Sequence, residues 1–513
     1  MKKRIPAFIA ALAIITSSTA AMPVTPAEAA SSLPSRVDLS ETEFYPGVMD
    51  QDDLNSCGPC AAVFGQFTYE VRKYLREKDS KADINFTYSP LSVYTSINGG
   101  EDNATYIYDI YEFLSKQGAL TEKVFPYIGK SEAARLIPHN EKDLFEALKI
   151  RLDSNEGIEI NQIKDKVGFK SIEISKEESD ARVKKGIKDI KTALNNGKVL
   201  VASQIFDFSD YIAENVTKNG KPFNELVSYQ NDDCGGTHFF TIVGYDDEIA
   251  CDLNGDKHID PETEMGAFKI ANSCGDDWKN NGYLWIMYDA LYRESLAGVE
   301  PIDPDNGYSR TPAFAGAYAI NVVEKDIKLV AEADIMTNNY YDIFLNSQCK
   351  ENDLETSSFN KFVSTPVVYN GPVLTDITEI CGDKANNKTY RIDINNNNTF
   401  DDTKVVVKSV CLKDDKGNVV VKKDLLSDDQ VAARFNRLAP GNYGSYELSV
   451  DFPAGDINYD GVYDKKDYTV IKKYYENSGS VDFSLFQQDL IDVDGNQKFD
   501  ESDYKVLKKT YKK

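Results

Sequence analysis

Histidine is scarce in this chain: three occur in 513 residues, against 83 Asp and Glu and 30 Tyr. Any mechanism that needs an imidazole base therefore has only His139, His238 and His258 to choose from. Cysteine is sparse as well. Eight in 513 residues are too few for a disulfide scaffold, and their spacing is irregular except for Cys57-Gly58-Pro59-Cys60. Basic charge is outweighed, 58 Lys and Arg giving a net charge of -25, which argues against a nucleic-acid partner because phosphates are held by clustered cations. No apolar run reaches the length of about 18 residues that a membrane span needs. At 41% hydrophobic and 27% charged residues the chain is globular, and at roughly 150 residues per domain it should hold about three folded units.

Met1 to Ala30 has the pattern of a secretory signal: Lys2, Lys3 and Arg4, an apolar stretch from Ile5 to Ile15, then small residues at cleavage spacing around Ala27-Glu28-Ala29-Ala30. No Cys follows the apolar stretch to accept a lipid, so a released, extracellular protein is expected. Removing the segment takes the net charge to -27.

Three regions follow. Residues 31–322 mix amphipathic stretches with short apolar runs (198–202, 239–243, 267–271 and 283–287), the pattern of an α+β domain. Residues 323–453 alternate strand-like runs (328–331, 362–369, 404–411, 418–421 and 446–452) with Asn, Asp and Gly turns, which predicts an all-β sandwich-like accessory domain; the run Asn395 to Asn398 reads as a polar turn. Residues 454–513 carry an internal repeat at an offset of 36 residues: Asp467-Tyr468 through Tyr475 returns as Asp503-Tyr504 through Tyr511. Each copy puts Val, Ile or Leu and Tyr on one helical face and Lys on the other, so two amphipathic helices can pack together in a small α-helical module.

Each repeated helix is preceded by oxygen donors at the spacing of a twelve-residue calcium loop. Asp456, Asn458, Asp460, Asp464 and Asp467 fill positions 1, 3, 5, 9 and 12 of the first, and Asp492, Asp494, Asn496, Asp500 and Asp503 fill those of the second. Calcium is a hard cation that takes oxygen, which explains carboxylates and amides in place of His or Cys. About the last 59 residues resemble a dockerin, the duplicated calcium-dependent module that attaches secreted enzymes to cohesin domains of cellulosome-type scaffolds. The resemblance implies structural calcium and a cohesin partner. Gln497 stands at position 6 where the first copy has Gly461, and positions 10 and 11 are Lys465-Lys466 in one copy but Glu501-Ser502 in the other, which puts symmetric two-way binding in doubt.

Toward the N-terminus, Ser56 precedes Cys57-Gly58-Pro59-Cys60, and Val63, Phe67, Val71 and Leu75 recur every four residues. That is a buried helix face with Ser56 as N-cap, which places Cys57 at a helix N-terminus where the dipole favours a thiolate. A thioredoxin-type redox motif would follow an apolar strand, whereas residues 50–56 are polar. Cys60 is the alternative nucleophile, and a reversible Cys57–Cys60 disulfide is a further reading. Of the histidines, His139 lies in a polar stretch and His258 in an Asp-rich loop; His238 alone opens an apolar strand.

Lys269-Ile270-Ala271-Asn272-Ser273-Cys274-Gly275, with Trp278 and the run Asn281-Gly282-Tyr283, joins these residues in a pattern that resembles the papain family of cysteine peptidases. The likeness begins at Leu33-Pro34 and runs to about Tyr288. It implies Cys57 as nucleophile, His238 as general base and then acid, Asn272 orienting the imidazole, and Gln51, six residues before Cys57, in the oxyanion hole. Gly99 and Gly100 resemble the glycine pair along which extended substrate lies. Two positions depart from the family: Gly58 and Cys274 stand where tryptophans are usual, the second leaving the Asn–His bond less shielded. No inhibitory pro-region of the usual kind is expected, because Leu33 follows the signal almost directly.

Between His238 and Asn272, Asp252, Asn254, Asp256 and Asp260 repeat calcium-loop spacing; Thr263 holds position 12, so Glu262 or Glu264 would have to complete it. A weaker echo is Asp393, Asn395, Asn397 and Asp401. The sequence thus predicts a secreted papain-like cysteine endopeptidase acting on protein or peptide substrates and attached to a cohesin-bearing scaffold. The competing reading is a scaffold-attached adaptor with a degenerate peptidase fold.

Overall fold

The computed structural model describes residues 33–160, 162–164, 169–171, 175–204, 211–229, 238–292, 316–359, 365–396, 402–435, 444–477 and 480–511. The signal reading, Cys234, the glycines before His238 and positions 397 and 401 of the weak echo lie outside them. All elements below belong to one unit, Ser35–Lys513.

The apolar runs of the first region become strands of one sheet in the order Ile150–Glu159, Gly316–Glu324, Leu200–Gln204, His238–Ala250, Met265–Ala271, Tyr283–Met287 and Val227–Ser228. Ala271 pairs with Thr241 in antiparallel register, so the strand that begins at His238 runs beside the end of the strand that leads into Asn272. Between Lys269 and Ile270 the register slips by one residue. Such a bulge re-aims the side chains beyond it and is common beside active sites.

Against this sheet lies a helix that begins at Cys57–Pro59, widens into π geometry over Cys60–Phe67 and continues over Thr68–Lys78. Val63, Phe67 and Val71 are fully buried, as their four-residue spacing predicts, and share a core with Ile97, Ile110 and Leu114 of the helices Pro90–Ile97 and Ile107–Gln117. Val201 and Phe239 of the sheet close the same core, and Cys57 sits within it. Ser56 departs from expectation. Its hydroxyl makes no capping bond but meets Tyr127 Oη at 2.6 Å, because the residue is wholly buried where Tyr127 is the nearer partner.

The middle region forms two four-stranded antiparallel sheets. One is ordered Tyr369–Asp376, Val330–Thr337, Val405–Lys413, Val419–Asp424; the other Leu354–Ser357, Ile343–Cys349, Lys388–Asn396, Gly444–Val450. Their inward residues, among them Ala333, Ile335, Leu345, Ile392 and Val410, share one core. The Asn run read as a turn begins inside the strand Lys388–Asn396, since alternation of Tyr390, Ile392 and Ile394 toward the core outweighs the polar residues between them. The calcium echo at Asp393 and Asn395 falls on that strand, where Asp393 accepts from Arg391 Nε at 2.9 Å.

In the tail, the helices Lys465–Glu476 and Glu501–Tyr511 pack through stacked tyrosines, Tyr468 on Tyr511 at 4.4 Å and Tyr475 on Tyr504 at 4.0 Å. Between them runs a helix the repeat did not announce, Leu485–Ile491. Its Phe486 and Leu490 are buried in the core of the middle region, where Phe486 also packs on Tyr459 and Phe452. Among the described residues no helix is long and apolar enough to cross a membrane.

Candidate active site

The helix start and the two strand ends converge on one cluster. His238 Nε2 lies 2.6 Å from Asn272 Oδ1. That oxygen also accepts the Ser273 N–H at 2.8 Å, so it is the amide carbonyl, and His238 must donate to it from Nε2. The other ring nitrogen is left to Cys57, to which His238 is hydrogen-bonded. Burial pushes the Cys57 thiol up, but the His238 bond and charge and the N–H groups of Phe239 and Gly58 outweigh it and hold the thiol below its ordinary value. Cys60 behaves oppositely. Burial pushes its thiol up to about 12, and its sulfur faces Ser56 Oγ at 3.5 Å. All seven described cysteines are free thiols, Cys57 and Cys60 included.

Gln51 is oriented by a residue the sequence reading left without a role. Ser273 Oγ donates to Gln51 Oε1 at 2.6 Å, and the Gln51 N–H donates to the Ser273 carbonyl at 2.8 Å. Gln51 Nε2 donates to the Leu54 carbonyl at 3.0 Å and retains its second hydrogen. Ser273 therefore touches both Asn272 and Gln51; its place next to Asn272 was the available signal. The small Gly58 is surrounded, since a Cβ there would lie 3.0 Å from Ile110 Cδ1 and 3.3 Å from Thr105 Oγ1. Cys274 is exposed, as a site without its shielding tryptophan would be. His139 and His258 are exposed and outside the cluster, with His258 using its N–H on Asp256 at 2.8 Å.

Gly99 and Gly100, expected along the substrate, are both buried: Gly100 N–H donates to Asn98 Oδ1 at 2.9 Å, its carbonyl accepts from Arg135 Nε at 3.0 Å, and the Gly99 carbonyl accepts the Thr365 N–H at 3.0 Å.

A family model for the papain family cysteine protease matches residues 33–296, half of the chain. The chain belongs to the papain family of cysteine proteases. A second family model, the dockerin type I domain, matches residues 454–510. Solved structures similar to this papain-family protease include xylellain, a cysteine protease from Xylella fastidiosa, at 19% identity, 57% of this chain, 87% of that chain and a TM-score of 0.35. Procathepsin L2 from Tenebrio molitor larval midgut matches at 15% identity over 57% of this chain and 70% of its own, with a TM-score of 0.34. The ragweed pollen cysteine protease Amb a 11 in its proform matches at 15% identity, covering 57% and 66%, with a TM-score of 0.33. No curated protein matches the sequence.

The dockerin loops of this protease are built alike. Asp456 Oδ2 accepts the Gly461 N–H at 2.7 Å, and Asp492 Oδ2 accepts the Gln497 N–H at 3.0 Å. Gln497 adopts φ 64, the left-handed conformation of Gly461 (φ 84), so the substitution keeps the turn at a cost of about 1 kcal/mol. Carboxylate oxygens of Asp492, Asp494 and Asp503 lie within 4.8 Å of one another. In the first loop Asp467 Oδ1 is buried without a hydrogen-bond partner. A buried, unpartnered carboxylate oxygen among oxygen donors fits a hard divalent cation.

The loop between the His238 and Asn272 strands has the second dockerin loop's wiring. Asp252 accepts from Gly255 N–H at 2.7 Å and Lys257 N–H at 2.8 Å, where Asp492 accepts from Gly495 and Gln497. Glu264, wholly buried, accepts from the N–H groups of Leu253, Asn254 and Asp260 as Asp503 does from Val493, Asp494 and Asp500. Glu264 thus closes the loop, its longer side chain compensating for a position one residue later; Glu262 is exposed.

Proposed function

We propose that this papain-family enzyme is a secreted peptidase whose reaction runs through Cys57, His238, Asn272 and Gln51, and that its dockerin attaches it to a cohesin-bearing cellulosome-type scaffold. The observation that carries the reading is the double use of Asn272 Oδ1, which fixes His238 with Nε2 as donor and turns the other nitrogen to Cys57. The Cys57 sulfur attacks the peptide carbonyl carbon; the oxyanion is met by Gln51 Nε2–H and the Cys57 N–H at the helix start. Collapse breaks the C–N bond, the imidazolium giving its proton to the departing amine and leaving a thioester. Water, deprotonated by His238, then releases the acid and restores the thiol.

The reading divides the chain into a signal at 1–30, peptidase at 31–322, a β-sandwich accessory domain at 323–453 and dockerin at 454–513. Calcium would be held by Asp456, Asn458, Asp460, Asp464 and Asp467 and by Asp492, Asp494, Asn496, Asp500 and Asp503, supplying charge compensation for loops that otherwise repel themselves. The shared wiring extends the same proposal to Asp252, Asn254, Asp256 and Asp260, with Glu264. An epoxysuccinyl inhibitor applied to reduced, calcium-loaded protein, followed by mass spectrometry, tests the nucleophile. Labelling at Cys57 alone supports the reading; labelling at Cys60 moves the nucleophile, and no labelling favours the adaptor.

A further inference from the structure

The accessory sheets reach the peptidase beside its catalytic helix. The Thr365 N–H donates to the Gly99 carbonyl at 3.0 Å, and the Thr365 hydroxyl donates to the Glu101 carboxylate. A Cβ on Gly100 would lie 2.5 Å from the Thr365 carbonyl oxygen and 2.9 Å from Val367 Cγ2, so glycine at φ 82 is required here by the accessory domain's approach. Tyr341, 3% exposed, pins the contact: its hydroxyl donates toward Asn98 Oδ1 at 2.8 Å and the Thr95 carbonyl, while Tyr340 N–H holds the Val367 carbonyl at 2.8 Å.

The same loop continues to the thiol. Asp102 accepts the N–H of Asn55, two residues before Cys57, at 2.8 Å, and the Asp102 carbonyl accepts from Asn55 Nδ2 at 3.1 Å. Thr105 reaches Gly58, as the 3.3 Å approach of its Oγ1 to a Cβ there shows. Residues 98–105 are therefore one bank that runs from Cys57 to the accessory domain. Extended peptides bind by pairing with a backbone edge, and the far end of this edge is already paired.

We propose that Thr365 and Val367 form a fixed stop at the Gly99–Gly100 end of the substrate groove, so that only a short run of substrate fits on that side of the scissile bond. This rests on the reading of Cys57 as nucleophile and of Gly99–Gly100 as the lining of the substrate groove, and it narrows the endopeptidase expectation to a protease that cuts near one free end. The stop is a specificity-determining element supplied by the domain outside the catalytic fold. It also gives Gly100 a role different from admitting substrate.

The test uses the full reduced chain and peptides of one core sequence, lengthened residue by residue at either end, with kcat/KM measured and the bond cut located by mass spectrometry. The expected result is a fall of about tenfold or more in kcat/KM beyond a set length at one end only. Thr365→Gly should move that fall to longer peptides and Thr365→Trp to shorter ones, with thermal melting confirming that each variant is folded. Level profiles at both ends, or a limit that neither folded variant moves, would overturn the stop while leaving the Cys57 chemistry standing. Absence of turnover on every peptide would overturn the nucleophile assignment and the stop together.

Discussion

Asn272 Oδ1 stands 2.6 Å from His238 Nε2 and takes the Ser273 N–H at 2.8 Å as well. One oxygen with two donors is itself held in place, and so orients the imidazole that bonds to it. Asn272→Ala should therefore lower kcat by about 10- to 100-fold, the loss seen when a partner that orients a metal-ligating imidazole is removed. KM should change little, and steady-state kinetics on a peptide substrate will show the split.

Ser273→Ala leaves the Asn272 bond to the backbone intact but takes away the 2.6 Å hydroxyl bond that aims Gln51. A drop in kcat smaller than that of Asn272→Ala is expected, with rescue by Ser273→Thr. Equal rates for Ser273→Ala and the parent would mean that the Ser273 hydroxyl does not position Gln51 for the reaction.

The pH dependence follows from the direction of the Cys57 shift. A thiol held below its ordinary value keeps its thiolate at pH values where a free cysteine, near 8.5 or about that, is protonated; reactivity is lost only as pH falls through the lowered value. Iodoacetamide should label Cys57 below that pH. Cys60, pushed up to about 12, should stay unlabelled throughout. A Cys57 labelling profile that tracks free cysteine would mean that the thiol is not activated.

Arg151 and Asp376 form an ion pair between the peptidase strand Ile150–Glu159 and the accessory strand Tyr369–Asp376, with side chains 8% and 7% exposed. Arg151→Met leaves a buried carboxylate uncompensated and should cost about 3–5 kcal/mol in urea unfolding. Adding Asp376→Leu should recover part of that loss.

Chelation with EDTA should lower the melting temperature of the dockerin and abolish cohesin binding, because Asp456 with Asp467 in one loop, and Asp492 with Asp503 in the other, would be left buried and mutually repelling. Melting that is indifferent to EDTA and added calcium would count against metal in these loops.

Much of this was legible in the chain itself. The strands at 200–204, 238–250, 265–271 and 283–287 were visible because buried sheet interior demands apolar runs, and the repeat at 467 and 503 announced its loops by spacing. Lys388–Asn396 stayed hidden because its asparagines speak for turns while only every second residue faces the core. The helix Leu485–Ile491 was missed because it has no copy elsewhere in the repeat. Ser56 kept its place before the helix but lost its capping role to Tyr127, a partner 71 residues away. Nothing local to Gly99 foretells Thr365, whose contact exists only once the accessory sheets have packed.

The burial of Phe486 and Leu490 in the accessory core has a mechanical meaning. Leu485 N–H also bonds Asp415 at 2.8 Å, and Lys328 lies 3.4 Å from Asp489, so the joint is a bracket with several bolts and not a loose string. An enzyme hung on a string searches a sphere whose radius is set by the string; one held in a bracket points its mouth in a single direction. On the proposed scaffold, which neighbours come within bite would then be decided by where the bracket is mounted.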